Sequence, residues 1–217
     1  MVHSISRPAA ADEYDAHYRT WLEQHGSNAL DLDWRLTHLE WRQRVLLRRY
    51  PPERKRVLDF GCMDGVFTLR LQQLGATAVG YDISPAAIAQ AKTFRAAAAR
   101  PVFTTVPPGP GQFEIIYCSE ALENVADDSA LVGELVSYLV PGGSVVGTTP
   151  IGEEGGDPAT RGIYDQAQLK RALSPYGRVH VFRYSSSPVR DRIPFRKAKG
   201  GRLFLFQVTP PNPPAGR

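Results

Sequence analysis

Short apolar runs alternate along this chain with stretches whose apolar positions recur at helical spacing. Residues 57–60 (VLDF), 77–81 (TAVGY), 102–106 (VFTTV), 113–118 (FEIIYC) and 144–149 (SVVGTT) are rich in β-branched or aromatic side chains without clean polar alternation. That pattern predicts strands covered on both faces, as in a parallel sheet. Between them, residues 66–74 (VFTLRLQQL) predict a helix, with Gly75 as its C-terminal cap. Ser84-Pro85 reads as an N-cap and a first-turn proline opening an alanine-rich helix through about Ala99, where Pro101 blocks continuation. A further helix is expected from about Ser129 to Val140, closed by Pro141-Gly142-Gly143. Asp165 and Gln168 have capping-box spacing for another, through about Ser174.

Strands that alternate with helices imply right-handed crossovers and a mainly parallel sheet, an α/β doubly wound fold. Two later runs, 178–184 (RVHVFRY) and 202–208 (RLFLFQV), have no helix between them and predict a terminal antiparallel pair. Residues 9–50 predict two helices, the second over about 32–49 with Leu32, Leu36, Leu39, Val45 and Leu46 on one stripe. The expected organisation is a helical appendage over residues 1–50, an α/β domain over 51–210 and a loose tail over 211–217.

Composition narrows the class. The 217 residues are 42% hydrophobic and 22% charged, which excludes a disordered chain, a collagen-like rod and a disulfide scaffold. No apolar run is long enough to span a membrane, and the N-terminus lacks the apolar core of a signal peptide. Cys62 and Cys118 match no metal spacing, so a reduced, cytoplasmic chain without a metal site is expected. The net charge of +4 permits an RNA partner without requiring one.

In an open parallel sheet, ligands bind beyond the carboxyl ends of the strands. The first strand ends in Asp59-Phe60-Gly61-Cys62-Met63-Asp64-Gly65 and runs directly into a helix. Glycines there let a backbone approach a ligand closely. The second strand ends in Gly80-Tyr81-Asp82, about 20 residues after the glycine turn, where a carboxylate accepts ribose hydroxyls. Reading from Gly61, the dinucleotide pattern G-x-G-x-x-G fails at Met63 and Val66. The turn instead carries Asp59 and Asp64, which repel a pyrophosphate and suit a guest that is cationic there, such as S-adenosylmethionine.

At these residues the chain resembles the class I S-adenosylmethionine-dependent methyltransferases. Val57 to Gly65 is similar to their first motif, and Gly80 to Ser84 to their ribose-binding second strand. Residues 113–119 with 122–127 are similar to their fourth strand and the loop after it, and Leu139-Val140-Pro141-Gly142-Gly143 to the turn before the fifth. The resemblance covers roughly residues 55–210 in the family's order. It implies a Rossmann-like methyltransferase fold with strand order 3-2-1-4-5-7-6, strand seven antiparallel. Three departures stand out: Met63 replaces a common glycine, residues 104–108 offer no acid near an adenine, and Asn124 occupies a position that is often histidine.

The candidate cofactor residues are therefore Asp59, Gly61, Cys62, Met63, Gly65, Asp82, Ile83 and Ser119. Glu120 and Glu123 are candidates to orient an acceptor or serve as base, although a solvated loop explains them equally well. Tyr14, Tyr18 and Asn124 are candidates to meet the acceptor, and for each of the tyrosines (as for His17) packing is the competing reading. Packing also explains Trp21, Trp34, Trp41 and both cysteines, while Trp34 could instead line the cofactor mouth. The glycine-rich residues 150–163 read as a substrate lid or an ordinary loop. Arginines over 42–56 read as a solvated face, and the basic residues 190–202 are the better candidate of the two to contact an anionic acceptor, with a solvated segment as the competing reading. The expected function is methyl transfer to an oxygen or nitrogen of a small molecule, a sugar or secondary metabolite, with RNA methylation or non-catalytic cofactor binding as alternatives.

Overall fold

The computed structural model describes residues 7–25, 31–94, 101–125, 127–151, 165–185 and 202–211. The lid stretch 150–163, the basic segment 190–202 and the tail 211–217 lie outside the described residues apart from their ends, and so does the side chain of His17. Helices α1 (Arg7–His25), α2 (Leu32–Thr37) and α3 (Trp41–Arg49) precede the alternating elements β1 (Arg56–Phe60), α4 (Val66–Gln73), β2 (Thr77–Tyr81), α5 (Pro85–Thr93) and β3 (Val102–Thr104). Then follow β4 (Phe113–Ser119), α6 (Asp128–Ser137), β5 (Leu139–Pro150), α7 (Gln166–Leu173), β6 (Arg178–Ser185) and β7 (Arg202–Thr209). The sheet has seven strands in the order β3-β2-β1-β4-β5-β7-β6, as the resemblance implies. Parallel pairing joins β1 to β2, β2 to β3 and β4 to β5, whereas β7 runs antiparallel to both β5 and β6.

The chain divides into two compact units, one of Met1–Glu40 with Pro52–Pro108 and one of Trp41–Pro51 with Gly109–Arg217. In the first, β1 and α4 supply a core of Val57, Leu58, Phe67, Leu69 and Leu71, all buried. On α1, Tyr14, Tyr18, Trp21 and Leu22 fall on one helical face and are shielded, while their neighbours Asp12, Glu13, Arg19 and Thr20 are exposed. In the second, Ile116, Tyr117, Val145, Val146, Phe204 and Phe206 are fully buried strand residues. Leu131 and Leu135 of α6 and Leu169 and Leu173 of α7 are buried on the helices of that unit.

Four boundaries differ from the sequence expectation. The single helix over 32–49 is two, broken where Thr37 Oγ1 donates to the Asp33 and Trp34 carbonyls and the His38 ring lies against the Trp34 carbonyl. The break coincides with the boundary between the compact units at Glu40 and Trp41. Helix α5 ends at Thr93, because Phe94 leaves helical geometry (φ −76°, ψ 72°) and is itself buried; residues 95–99, over which the expected helix continued, lie outside the described residues. Strand β3 stops at Thr104, whose hydroxyl accepts the Val106 N–H at 2.9 Å and closes a turn. Helix α6 stops at Ser137, and β5 begins at Leu139 rather than Ser144. Its pairing jumps from Phe113↔Leu139 to Ile115↔Ser144, so Pro141-Gly142-Gly143 forms a bulge within the strand.

Candidate active site

In the first unit, chemistry gathers at the carboxyl ends of β1 and β2. The chain turns at Gly61 (φ 73°), Met63 (φ 54°) and Gly65 (φ 81°), three left-handed residues within five. The Gly61 and Cys62 N–H groups donate to the Tyr81 carbonyl at 2.8 and 2.9 Å, which ties the turn to the end of β2. The Met63 N–H donates to Asp82 Oδ2 at 2.8 Å, and the Ser84 N–H donates to Asp82 Oδ1 at 2.9 Å. Both oxygens of Asp82 are thus fixed by backbone, and Ile83 lies half-buried beside it. Burial raises the Asp82 pKa above the ordinary carboxylate value; the two amides oppose the rise, and the charges of Asp15 and Asp64 add to it.

Asp59 lies beneath the turn, buried, and accepts a hydrogen bond from Thr68 Oγ1 of α4 at 2.7 Å. Burial pushes its pKa up to about 7, against the Thr68 bond and with the charge of Asp82. Asp64 is also buried, but Arg35 of α2 forms a two-pronged ion pair with it, one bond at 3.0 Å and a shorter one to Oδ2. The Arg35 guanidinium also lies 4.8 Å from the centroid of the Trp21 ring. Tyr18 is buried, donates toward Asp64 Oδ2 at 3.5 Å and stacks on Trp21 with centroids 6.2 Å apart. Burial raises its pKa, so the hydroxyl keeps its proton. Tyr14 is half-buried on the same helix. Cys62 is buried with its thiol pKa pushed up, first by burial and then by the charges of Asp59, Asp82 and Asp64, which disfavours the nucleophilic thiolate.

In the second unit, polar side chains gather after β4. Ser119 Oγ and Thr148 Oγ1 are 3.1 Å apart. Glu120 adopts a left-handed backbone (φ 54°), donates its N–H to the Thr148 carbonyl at 2.9 Å and pairs with Arg42 of α3 at 3.1 Å. Asn124 Nδ2 donates to the Glu120 carbonyl at 3.0 Å, so this candidate braces the turn. Glu123, in the short 3₁₀ turn Leu122–Asn124, is only 4% exposed. Its Oε2 is a buried oxygen without a hydrogen-bond partner. Burial raises its pKa to about 7; Glu120 adds to the rise and Arg42 opposes it.

Sequence reasoning missed Arg35, Asp15 and Arg42, because each acts on a residue far away in the chain and no local spacing marks it, and it missed Thr68, which reaches back nine residues from α4 to Asp59. Other candidates sit differently from their expectation. Trp34 is 43% exposed and stacks on His38 at 4.5 Å, so it is not a core residue. The arginines of α3 are not a uniformly solvated face, since Arg42 is ion-paired and Arg49 lies 3.7 Å from the centroid of the Phe182 ring. Among the described residues no group of His, Cys, Asp and Glu could hold a metal, and no helix is long and apolar enough to cross a membrane.

Residues 34–187 match the family model described as a methyltransferase domain. A ubiquinone biosynthesis O-methyltransferase of Albidiferax ferrireducens is 29% identical over 133 residues, covering 58% of this chain and 48% of that protein. The mitochondrial ubiquinone biosynthesis O-methyltransferase of Schizosaccharomyces pombe is 28% identical over 157 residues, covering 68% and 56%. The chain spans about half the length of the curated relatives it matches. Among solved structures, a magnesium protoporphyrin IX methyltransferase from Synechocystis with bound S-adenosylmethionine is similar in fold. Its TM-score is 0.60 at 17% identity, over 96% of this chain and 99% of that one.

Proposed function

We propose a reaction from one premise: the chain belongs to the methyltransferase-domain family, within the class I S-adenosylmethionine-dependent methyltransferases, and it transfers the cofactor's methyl to an oxygen of a small molecule. The observation that carries this reading is Asp82, a carboxylate held by the Met63 and Ser84 amides at the end of β2. Each of its oxygens accepts one backbone bond and keeps lone pairs for the two hydroxyls of a ribose. The surroundings suit the rest of the cofactor. Asp59 favours a cationic centre, while Asp64 and Arg35 neutralise each other as an ion pair.

The cofactor, when bound, supplies a methyl group already activated by its sulfonium. The protein's part is alignment and the handling of one proton. Glu123 is the better proton acceptor of the two glutamates. Its pKa of about 7 leaves it partly ionised at neutral pH, and its Oε2 is unengaged. Glu120 is held by Arg42 and acts as a brace. Oxygen as the accepting atom is supported by the names of the relatives, and the acceptor itself is sought in a library of hydroxylated small molecules that includes sugars and phenols.

Isothermal titration with S-adenosylmethionine tests the cofactor reading. Asp82→Ala is expected to weaken binding by about tenfold or more, the value of charged hydrogen bonds. Unchanged affinity removes the ribose assignment. Once an acceptor is found, Glu123→Gln is expected to lower kcat about a hundredfold while leaving cofactor affinity alone. An equal loss in Glu120→Gln would reassign the proton acceptor.

A further inference from the structure

A carboxylate of α1 reaches the cofactor cluster through a serine. Asp15 Oδ1 accepts the hydroxyl proton of Ser84 and also the Ala86 N–H at 3.1 Å. Ser84 is the N-cap of α5 and is buried; its Oγ accepts the Ala87 N–H at 3.0 Å. The N–H of the same serine holds Asp82 Oδ1. A continuous chain of bonds therefore runs from Asp15 through Ser84 to Asp82, and from Asp82 to Met63. The charge on Asp15 also complements the amino end of the nine-residue helix α5.

The hydroxyl of a buried serine must give its proton to some acceptor. With Asp15 in place the proton points to α1, and the lone pairs of Asp82 stay available. Without Asp15, the next carboxylate in this network of bonds is Asp82, two residues back, which already receives the amide of Ser84. A hydroxyl turned onto that carboxylate takes a lone pair that a ribose hydroxyl would use. We propose that Asp15 is a positioning residue, which holds the Ser84 hydroxyl so that Asp82 presents its carboxylate free to the ribose. This rests on the reading of Asp82 as the ribose partner.

The test compares S-adenosylhomocysteine with its 2′-deoxy analogue by calorimetry, taking the ratio of the two dissociation constants as the readout. A purely structural role for α1 would shift both constants together and leave the ratio unmoved. In the unaltered protein the ratio is expected to be about tenfold or more, and to fall close to one in Asp82→Asn. Asp15→Ala is expected to shrink the ratio several-fold, chiefly by weakening the ribose form. Asp15→Asn keeps an acceptor oxygen, so it is expected to restore most of the ratio and supplies a second variant should the alanine form be poorly folded. A ratio unchanged in Asp15→Ala, or one equally small in Asp15→Asn, overturns the positioning role while Asp82 stands. A ratio unchanged in Asp82→Asn overturns the ribose reading, and the positioning role with it.

Discussion

Gly65 is held by two independent constraints. Its φ of 81° strains any residue with a Cβ, and a Cβ built there would lie 2.4 Å from the Phe103 ring. Gly75 has a similar φ of 88° with open space around it. Comparing the two separates backbone strain from steric exclusion. Gly75→Ala is expected to cost about 1 kcal/mol and Gly65→Ala roughly 3, from strain plus overpacking. Urea unfolding with an unchanged m-value measures both, and equal losses would assign the whole effect to the backbone. The need for glycine at 65 was legible from its place after the first strand. What was not legible is which acid of the turn is ion-paired. Asp64 looked as free as Asp59, yet its partner Arg35 lies 29 residues away and only folding brings the two together.

At the scale of elements, the parts with a local chemical signal were readable. Helix α7 begins where its capping box predicts. Asp165 Oδ1 accepts the Ala167 and Gln168 N–H groups at 2.7 and 2.8 Å, and Gln168 Oε1 accepts the Asp165 N–H at 2.8 Å. The rest of the helix is anchored by Leu169 and Leu173. Asp165→Ala is therefore expected to destabilise the protein by about 1 kcal/mol, and Gln168→Ala by less, because it leaves the two stronger bonds intact. Thermal denaturation of both variants checks the order. The ends that went astray, at Phe94, Thr104 and the bulge in β5, are set by burial and by pairing with a distant strand. A Pro-Gly-Gly tripeptide carries no record of either.

For the molecule as a whole, two buried carboxyl groups set a pH dependence whose sign is fixed. Asp59 and Glu123 both have folded-state values of about 7, against roughly 4 in the unfolded chain. Between those values the folded protein binds more protons than the unfolded one. The stability they contribute is complete below about pH 4, declines as pH rises, and is gone above about 7. Unfolding free energy from urea titrations is thus expected to drop by on the order of 5 kcal/mol between pH 5 and 8, about half from each group. In Asp59→Asn combined with Glu123→Gln the slope should be markedly shallower, and an identical slope would mean that neither group titrates in this window. Protonated Asp59 also withdraws a negative charge from a cationic guest, so affinity for S-adenosylmethionine should rise over the same interval in which the free protein loses stability. The Asp59→Asn variant should lose that rise, which separates the crevice carboxylate from Glu123 as its source.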